Sequence, residues 1–170
     1  MRLYSGKVRE LGEELAKALV DGGEIETGSR SEVGKDLESV LAAYIQADRE
    51  ATDRAKEILQ SRGMPQSEFN RIKKLAAEQR GIKIGDDMMD YLLDQLIEML
   101  MHSGNVEEVF AEDHELRRRM RPVLRKYLEL EEVVEAEVRS KLKHVQEGSR
   151  TWEIEYQRVM GDIQRRKGLS

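Results

Sequence analysis

The sequence predicts an all-α protein of about six helices, arranged as two diverged tandem three-helix repeats packed together. Three observations predict it: Leu, Ile, Val and Met return at helical spacing through most of the chain, proline occurs only twice, and 37% of residues are charged against 5% aromatic. Many charges with few aromatics and almost no proline is the composition of long amphipathic helices with one wet face. A disordered chain would share the charge but lack the recurrent apolar faces, and 39% apolar residues over 170 positions supply material for a core.

The first helix is expected over Lys7 to Val20, where Val8, Leu11, Leu15, Ala18 and Leu19 share one face and Gly22-Gly23 stops it. Ser29-Arg30-Ser31-Glu32 reads as a capping box, Ser hydroxyl and Glu carboxylate each serving a free amide at a helix start. The long second helix carries Leu37, Val40, Leu41, Tyr44, Ile45, Ala51, Ala55, Ile58 and Leu59 and ends at Arg62-Gly63. After Met64-Pro65-Gln66-Ser67, a short third helix holds Phe69, Ile72, Leu75 and Ala76.

The fourth helix, Asp86 to His102, is apolar around most of its circumference through Met88, Met89, Tyr91, Leu92, Leu93, Leu96, Ile97, Met99, Leu100 and Met101, which marks a central, buried helix. A fifth carries Leu116, Met120, Val123, Leu124, Tyr127, Leu128, Val134, Val138 and Leu142, and Pro122 is expected to kink or split it. Ser149 is a fitting N-cap for a last helix with Trp152, Tyr156, Val159 and Ile163 on its face.

The two halves align. Leu15, Leu19, Gly23, Ile25 and Glu26 match Leu96, Leu100, Gly104, Val106 and Glu107 at one offset. After two inserted residues, Val40, Leu41, Tyr44, Ile45, Ala51, Ala55 and Leu59 match Val123, Leu124, Tyr127, Leu128, Val134, Val138 and Leu142, and Phe69 matches Trp152. The halves are therefore expected as repeats over 1–82 and 83–170, each too small to bury its apolar surface alone, packed together as one unit.

The Gly-turn segment, the long helix around Val123-Leu124-Arg125-Lys126-Tyr127, and above all Glu147-Gly148-Ser149-Arg150-Thr151-Trp152-Glu153-Ile154-Glu155-Tyr156 resemble the bacterial family called domain of unknown function 507. The resemblance covers the chain and is closest in the second half. The first half departs from it, with Phe69 where the signature has Trp and no counterpart of the basic last turn. The resemblance implies a small cytoplasmic helical protein and carries over no catalytic residue.

Several function classes find no support in the residues. With no cysteine there is no disulfide framework, thiolate metal site or thiol nucleophile. The opening MRLYSGKVRE lacks a secretory apolar core, and no segment approaches the roughly 18 apolar residues of a membrane span, so the cytoplasm is the expected location. Asp86, Asp90, Asp94, Glu98 and His102 fall four apart, but such steps drift about 40° each on a helix, so only neighbours such as Glu98 and His102 could share an ion. A solvated stripe with acids near a helix start is the plainer reading. Paired Glu-x-x-His motifs, a nucleophile elbow and a phosphate loop are all missing, and no cofactor or enzymatic activity is expected.

Charge is segregated despite a net −5. Residues 83 to 113 hold nine acids against one Lys, a balance of −8, and residues 117 to 170 hold fourteen bases against nine acids, a balance of +5. Within the basic part, Leu116, Met120, Val123, Leu124 and Tyr127 share one arc of a helix while Arg117, Arg118, Arg119, Arg121, Arg125 and Lys126 fan over the rest. Arg117, Arg118, Arg121, Arg125 and Lys126, extended by the tail Arg165, Arg166 and Lys167, form a candidate nucleic-acid or anion-binding face. Aromatics are not interleaved with these bases, which weakens stacking on unpaired bases. The same arginines could instead stay solvated, or pair with the acidic run of residues 86 to 113 in the molecule or in a neighbour.

Tyr44 and Tyr127, equivalent in the repeats, fit core or inter-repeat contacts, and the methionines of the fourth helix fit adaptable packing or a surface awaiting a partner. The functional expectation is a non-catalytic helical component acting through a protein partner or self-association. RNA or DNA binding through the arginine face is the alternative.

Overall fold

The computed structural model describes all 170 residues. Its helices are α1 (Val8–Asp21), α2 (Arg30–Arg62), α3 (Phe69–Gln79), α4 (Met88–His102), α5 (Asp113–Leu128), α6 (Leu130–Lys141) and α7 (Arg150–Arg166). Two-residue strands β1 (Ile25–Glu26) and β2 (Glu108–Val109) interrupt them. The protein is all-α, and no helix is long and apolar enough to cross a membrane.

Helix ends follow the local chemistry. The Ser29 hydroxyl accepts the Glu32 N–H at 3.2 Å to start α2, and Gly63, at φ 60°, lets the chain turn left-handed to end it. The carboxylate half of the expected Ser29–Glu32 box is not formed: Glu32 lies 3.4 Å from Lys35 Nζ instead. A complete capping box occurs at α5, between Glu112 and Glu115.

Of the kink or split expected at Pro122, the split is not found there. α5 runs through Pro122, an exposed residue that costs the helix one hydrogen bond without ending it, and the chain breaks seven residues later at Glu129. Packing explains the place. Leu128 belongs to the central core, Val134 to a separate cluster, and Leu130 touches both, so the rod bends where its apolar face changes partner.

The central core gathers 28 buried residues, mainly from α1, the first half of α2, α4 and α5. α4 supplies Met88, Met89, Leu92, Leu93, Leu96, Ile97 and Leu100, as its all-round apolar surface predicts, while Met101 turns outward. Each fully buried leucine contributes roughly 1.5–3 kcal/mol relative to exposure. Beyond this core, α3 packs on the far part of α2 through Ala55, Leu59 and Ile72. α7 packs on α6 through Val134, Val138, Leu142, Val159 and Ile163, a cluster that also takes in Tyr4 and Leu169.

Two features fix the helix crossings. α1 meets α2 at glycines: a Cβ on Gly12 would sit 2.6 Å from the Gly34 carbonyl oxygen, so the two backbones approach as only glycine allows. β1 pairs antiparallel with β2, with Ile25 opposite Val109 and Glu26 opposite Glu108. The flanking Glu107 and Phe110 N–H groups donate to the Glu26 and Glu24 carbonyls, both at 2.9 Å. This bridge ties the turn after α1 to the turn after α4.

Candidate functional site

α5 is amphipathic in the plainest way. Leu116, Met120, Leu124, Tyr127 and Leu128 are buried, which leaves its basic residues on the remaining arc. The structure brings Arg117, Arg118, Arg121 and Arg125 together around one shallow hollow of 470 Å³, with His114 and Pro122. Lys126 points elsewhere, its Nζ 2.6 Å from Glu14 on α1 and 5.2 Å from the centre of the Tyr127 ring. Arg165, Arg166 and Lys167 lie on the α6–α7 pair, Arg165 on Asp162 and Arg166 on Glu137, with Lys167 Nζ 3.3 Å from Glu137.

Most of these cations are occupied within the chain. Arg117 bridges α5 to α4, its Nε 2.6 Å from Asp113 and its Nη2 on Asp94. The hydrogen bonds it donates to Asp113 and then Asp94 raise its basicity further above an ordinary guanidinium. Arg121 Nη2 lies 3.0 Å from Asp90. Pairing with the acidic run thus holds for Arg117 and Arg121. His102 of the same stripe turns a ring nitrogen to the Glu98 backbone carbonyl at 2.9 Å, away from the Glu98 carboxylate.

The contact between Lys126, Tyr127 and Glu14 joins α5 to α1. The Tyr127 hydroxyl donates to Glu14 at 2.6 Å, and its pKa is pushed up by burial and then by that carboxylate. For Glu14, burial works against the charged form, but hydrogen bonds from Lys126 and Tyr127 outweigh it and hold the carboxyl below its usual range.

Arg119 makes the deepest ion pair. Its Nε donates to Glu24 Oε1 at 2.6 Å, and the Glu24 side chain is only 11% exposed. Glu24 Oε2 is buried without a hydrogen-bond partner, lying over Gly22, where a Cβ would collide with both Oε2 and the guanidinium. That pair floors a second hollow of 610 Å³, between the turn after α1 and α5, whose wall includes Phe110, Arg118, Pro122 and Val123. Arg118 and Pro122 stand on the divide between the two hollows.

Three features of this surface escape sequence reasoning. Glu24 and Arg119 lie 95 residues apart, with nothing local to announce their pairing. Phe110 is 64% exposed, one of only two phenylalanines in the chain, and its place in an acidic loop of an aromatic-poor protein was the available signal. Pro122, read as a break, instead lies in the wall of both hollows. Of the eight basic residues singled out, Arg118 and Arg125 alone are exposed without an ion pair inside the chain.

The fold and this surface define a helical protein whose basic face is largely neutralised by its own acids. A family model described as protein of unknown function (DUF507) matches residues 1–169, and the chain belongs to that family. No curated protein matches the sequence.

Proposed function

We propose that the protein is a non-catalytic interaction component of the bacterial cytoplasm, built from two diverged copies of one helical unit, that binds a protein partner beside α5. The observation that carries the reading is Phe110, a large ring 64% exposed at the rim of a formed hollow. An exposed aromatic next to a concave wall is what hot-spot contacts use, and it is costly to leave in water without a purpose.

The two-copy architecture is supported by exchange between halves. α1 packs on α2 and on α5, and α4 packs on α5 and on α2. On α2, Asp36 reaches the turn after α4, accepting from Asn105 Nδ2 at 2.9 Å. On α5, Arg119 reaches the turn after α1 through Glu24. By the alignment of the halves, Asp36 and Arg119 are equivalent positions, as are Asn105 and Glu24, so one contact recurs with different chemistry. Light scattering tests the packing: a mass of 19.6 kDa supports copies joined within one chain, and a dimer of twice that mass points to exchange between chains.

The interaction reading is tested by placing a photo-crosslinking amino acid at position 110 in cells, with Ile154, another exposed apolar residue, as control position. A discrete protein adduct at 110 and none at 154 is expected. Equal, diffuse labelling at both would end the reading.

A second reading, RNA or DNA binding, draws on Arg118 and Arg125 and their arginine-lined hollow. It requires nucleic acid to co-purify with the protein and to dissociate steeply with salt. Pairing of Arg117, Arg121, Lys126, Arg165, Arg166 and Lys167 with internal carboxylates leaves few cations to drive it.

A further inference from the structure

We infer that the two hollows flanking Arg118 and Pro122 are one docking surface for an acidic, helical segment of a partner protein, seating an apolar side chain against Phe110 and carboxylates on Arg118 and Arg125. This deepens the interaction reading and rests on it.

Charge complementarity sets the sign of the occupant. Arg117, Arg119 and Arg121 have their carboxylates, whereas exposed Arg118 and Arg125 have none. Glu115, the one other acid besides Glu24 lining the hollows, is turned to the Glu112 N–H as its cap, which leaves the two arginines in excess. They stand seven residues apart, two turns and about 10.5 Å along the axis. A helix carrying acids at the same spacing meets both at once. Arginine's planar fork favours a carboxylate held in this way.

The backbone adds a polar requirement. Pro122 has no N–H for the Arg118 carbonyl four residues earlier, so that carbonyl lacks its usual partner, and a polypeptide brings donors to it. The second hollow supplies the apolar contact, with Phe110, Pro122 and Val123 on its wall and 610 Å³ of space.

A polyanion fits the same surface poorly. Exposed Glu107, Glu108 and Glu112 flank Phe110 in the chain and would repel a continuous run of phosphates. A peptide can confine its carboxylates to the α5 side and present apolar or basic groups to the loop.

Fluorescence anisotropy on the full chain tests this with three probes. The first is an alanine-based helical peptide of about 15 residues bearing one Leu and two Glu seven apart. The second carries Lys in place of those Glu, and the third is a single-stranded oligonucleotide. Wild type is expected to bind the Glu peptide over the Lys peptide. The double variant Arg118→Glu with Arg125→Glu, both at exposed positions, is expected to lose about tenfold for the Glu peptide and to prefer the Lys peptide. Phe110→Ala is expected to weaken the Glu peptide on wild-type α5 without reversing the preference.

No saturable binding of the Glu peptide up to about 1 mM overturns the inference. So does equal affinity in the charge-reversed variant, or tighter binding of the oligonucleotide with steep salt dependence. A protein adduct at position 110 with no effect of charge reversal would remove the acidic chemistry and leave the interaction reading standing. Diffuse labelling at 110 would remove that reading as well.

Discussion

The two places where a post-turn helix packs on the helix before it are built by opposite means. α1 and α2 meet through Gly12 and Gly34, backbone against backbone, and a methyl group on Gly12 would collide with the Gly34 carbonyl. α4 and α5 pack through larger apolar side chains of the central core and are joined at the surface by Asp94 with Arg117 and Asp90 with Arg121. On the proposed two-copy reading, Arg117 stands at the position of Gly34, and equivalent positions would serve close approach in one crossing and an ionic strut in the other. Close packing leaves no tolerance for added volume but is indifferent to salt and pH. Struts tolerate substitution and respond to both.

The comparison breaks most visibly at the glycine crossing. Gly12→Leu is expected to cost about 3 kcal/mol, the upper end of overpacking penalties, read as a fall in thermal midpoint or denaturant midpoint. Loss of much less than this would mean the crossing opens easily. Next comes the ion pair beneath the second hollow, whose carboxylate has the burial that those of the α4–α5 struts lack. Arg119→Ala should cost about 2 kcal/mol by leaving Glu24, 11% exposed at its side chain, without its cation. Replacing Glu24 by Leu at the same time should recover part of that loss, because no buried charge then remains.

The exposed struts should matter least among the substitutions. Asp90→Asn and Asp94→Asn are expected each to cost under about 1 kcal/mol, and 1 M salt should shrink the difference from wild type. Acidification sharpens the same contrast. Glu14 titrates lower in the folded chain than in the unfolded one, so the stability it contributes is present above its unfolded pKa and fades as pH falls through the lower folded value. Unfolding followed below about pH 4.3, the ordinary Glu value, should show this loss. It should be blunted in Lys126→Met, which removes one of the hydrogen bonds holding that carboxyl down.

Most of the fold was legible because it is written in local periodicity. The apolar ring of α4, the Ser29 cap and the left-handed Gly63 stop all act within a few residues of where they are read. Pro122 does not end α5 because a proline's cost, one hydrogen bond, is smaller than the burial of Leu116, Met120 and Leu124 on either side of it. The bend at Glu129 depends on which cluster each apolar face joins, and that is a property of the assembled chain. The β1–β2 bridge is too short to have a period. The arginine face was visible as composition, but its neutralisation by Asp90, Asp94, Glu24 and Glu14 arises only when α1, the turn after it and α4 come together around α5.

The cluster that buries Tyr4 against Val134, Val138, Val159 and Leu169 also imposes an order of events during synthesis. A ribosome delivers residue 4 well before the residues that cover it, and the Gly6 N–H waits equally long for the Leu169 carbonyl it meets at 2.9 Å. The segment around Tyr4 and Gly6 therefore remains without this cover until residues 134–169 have been made, while α1 and α2 can already associate. Closing so long a loop costs entropy, so docking of α6 and α7 on the N-terminal segment is expected to follow the association of α1 with α2.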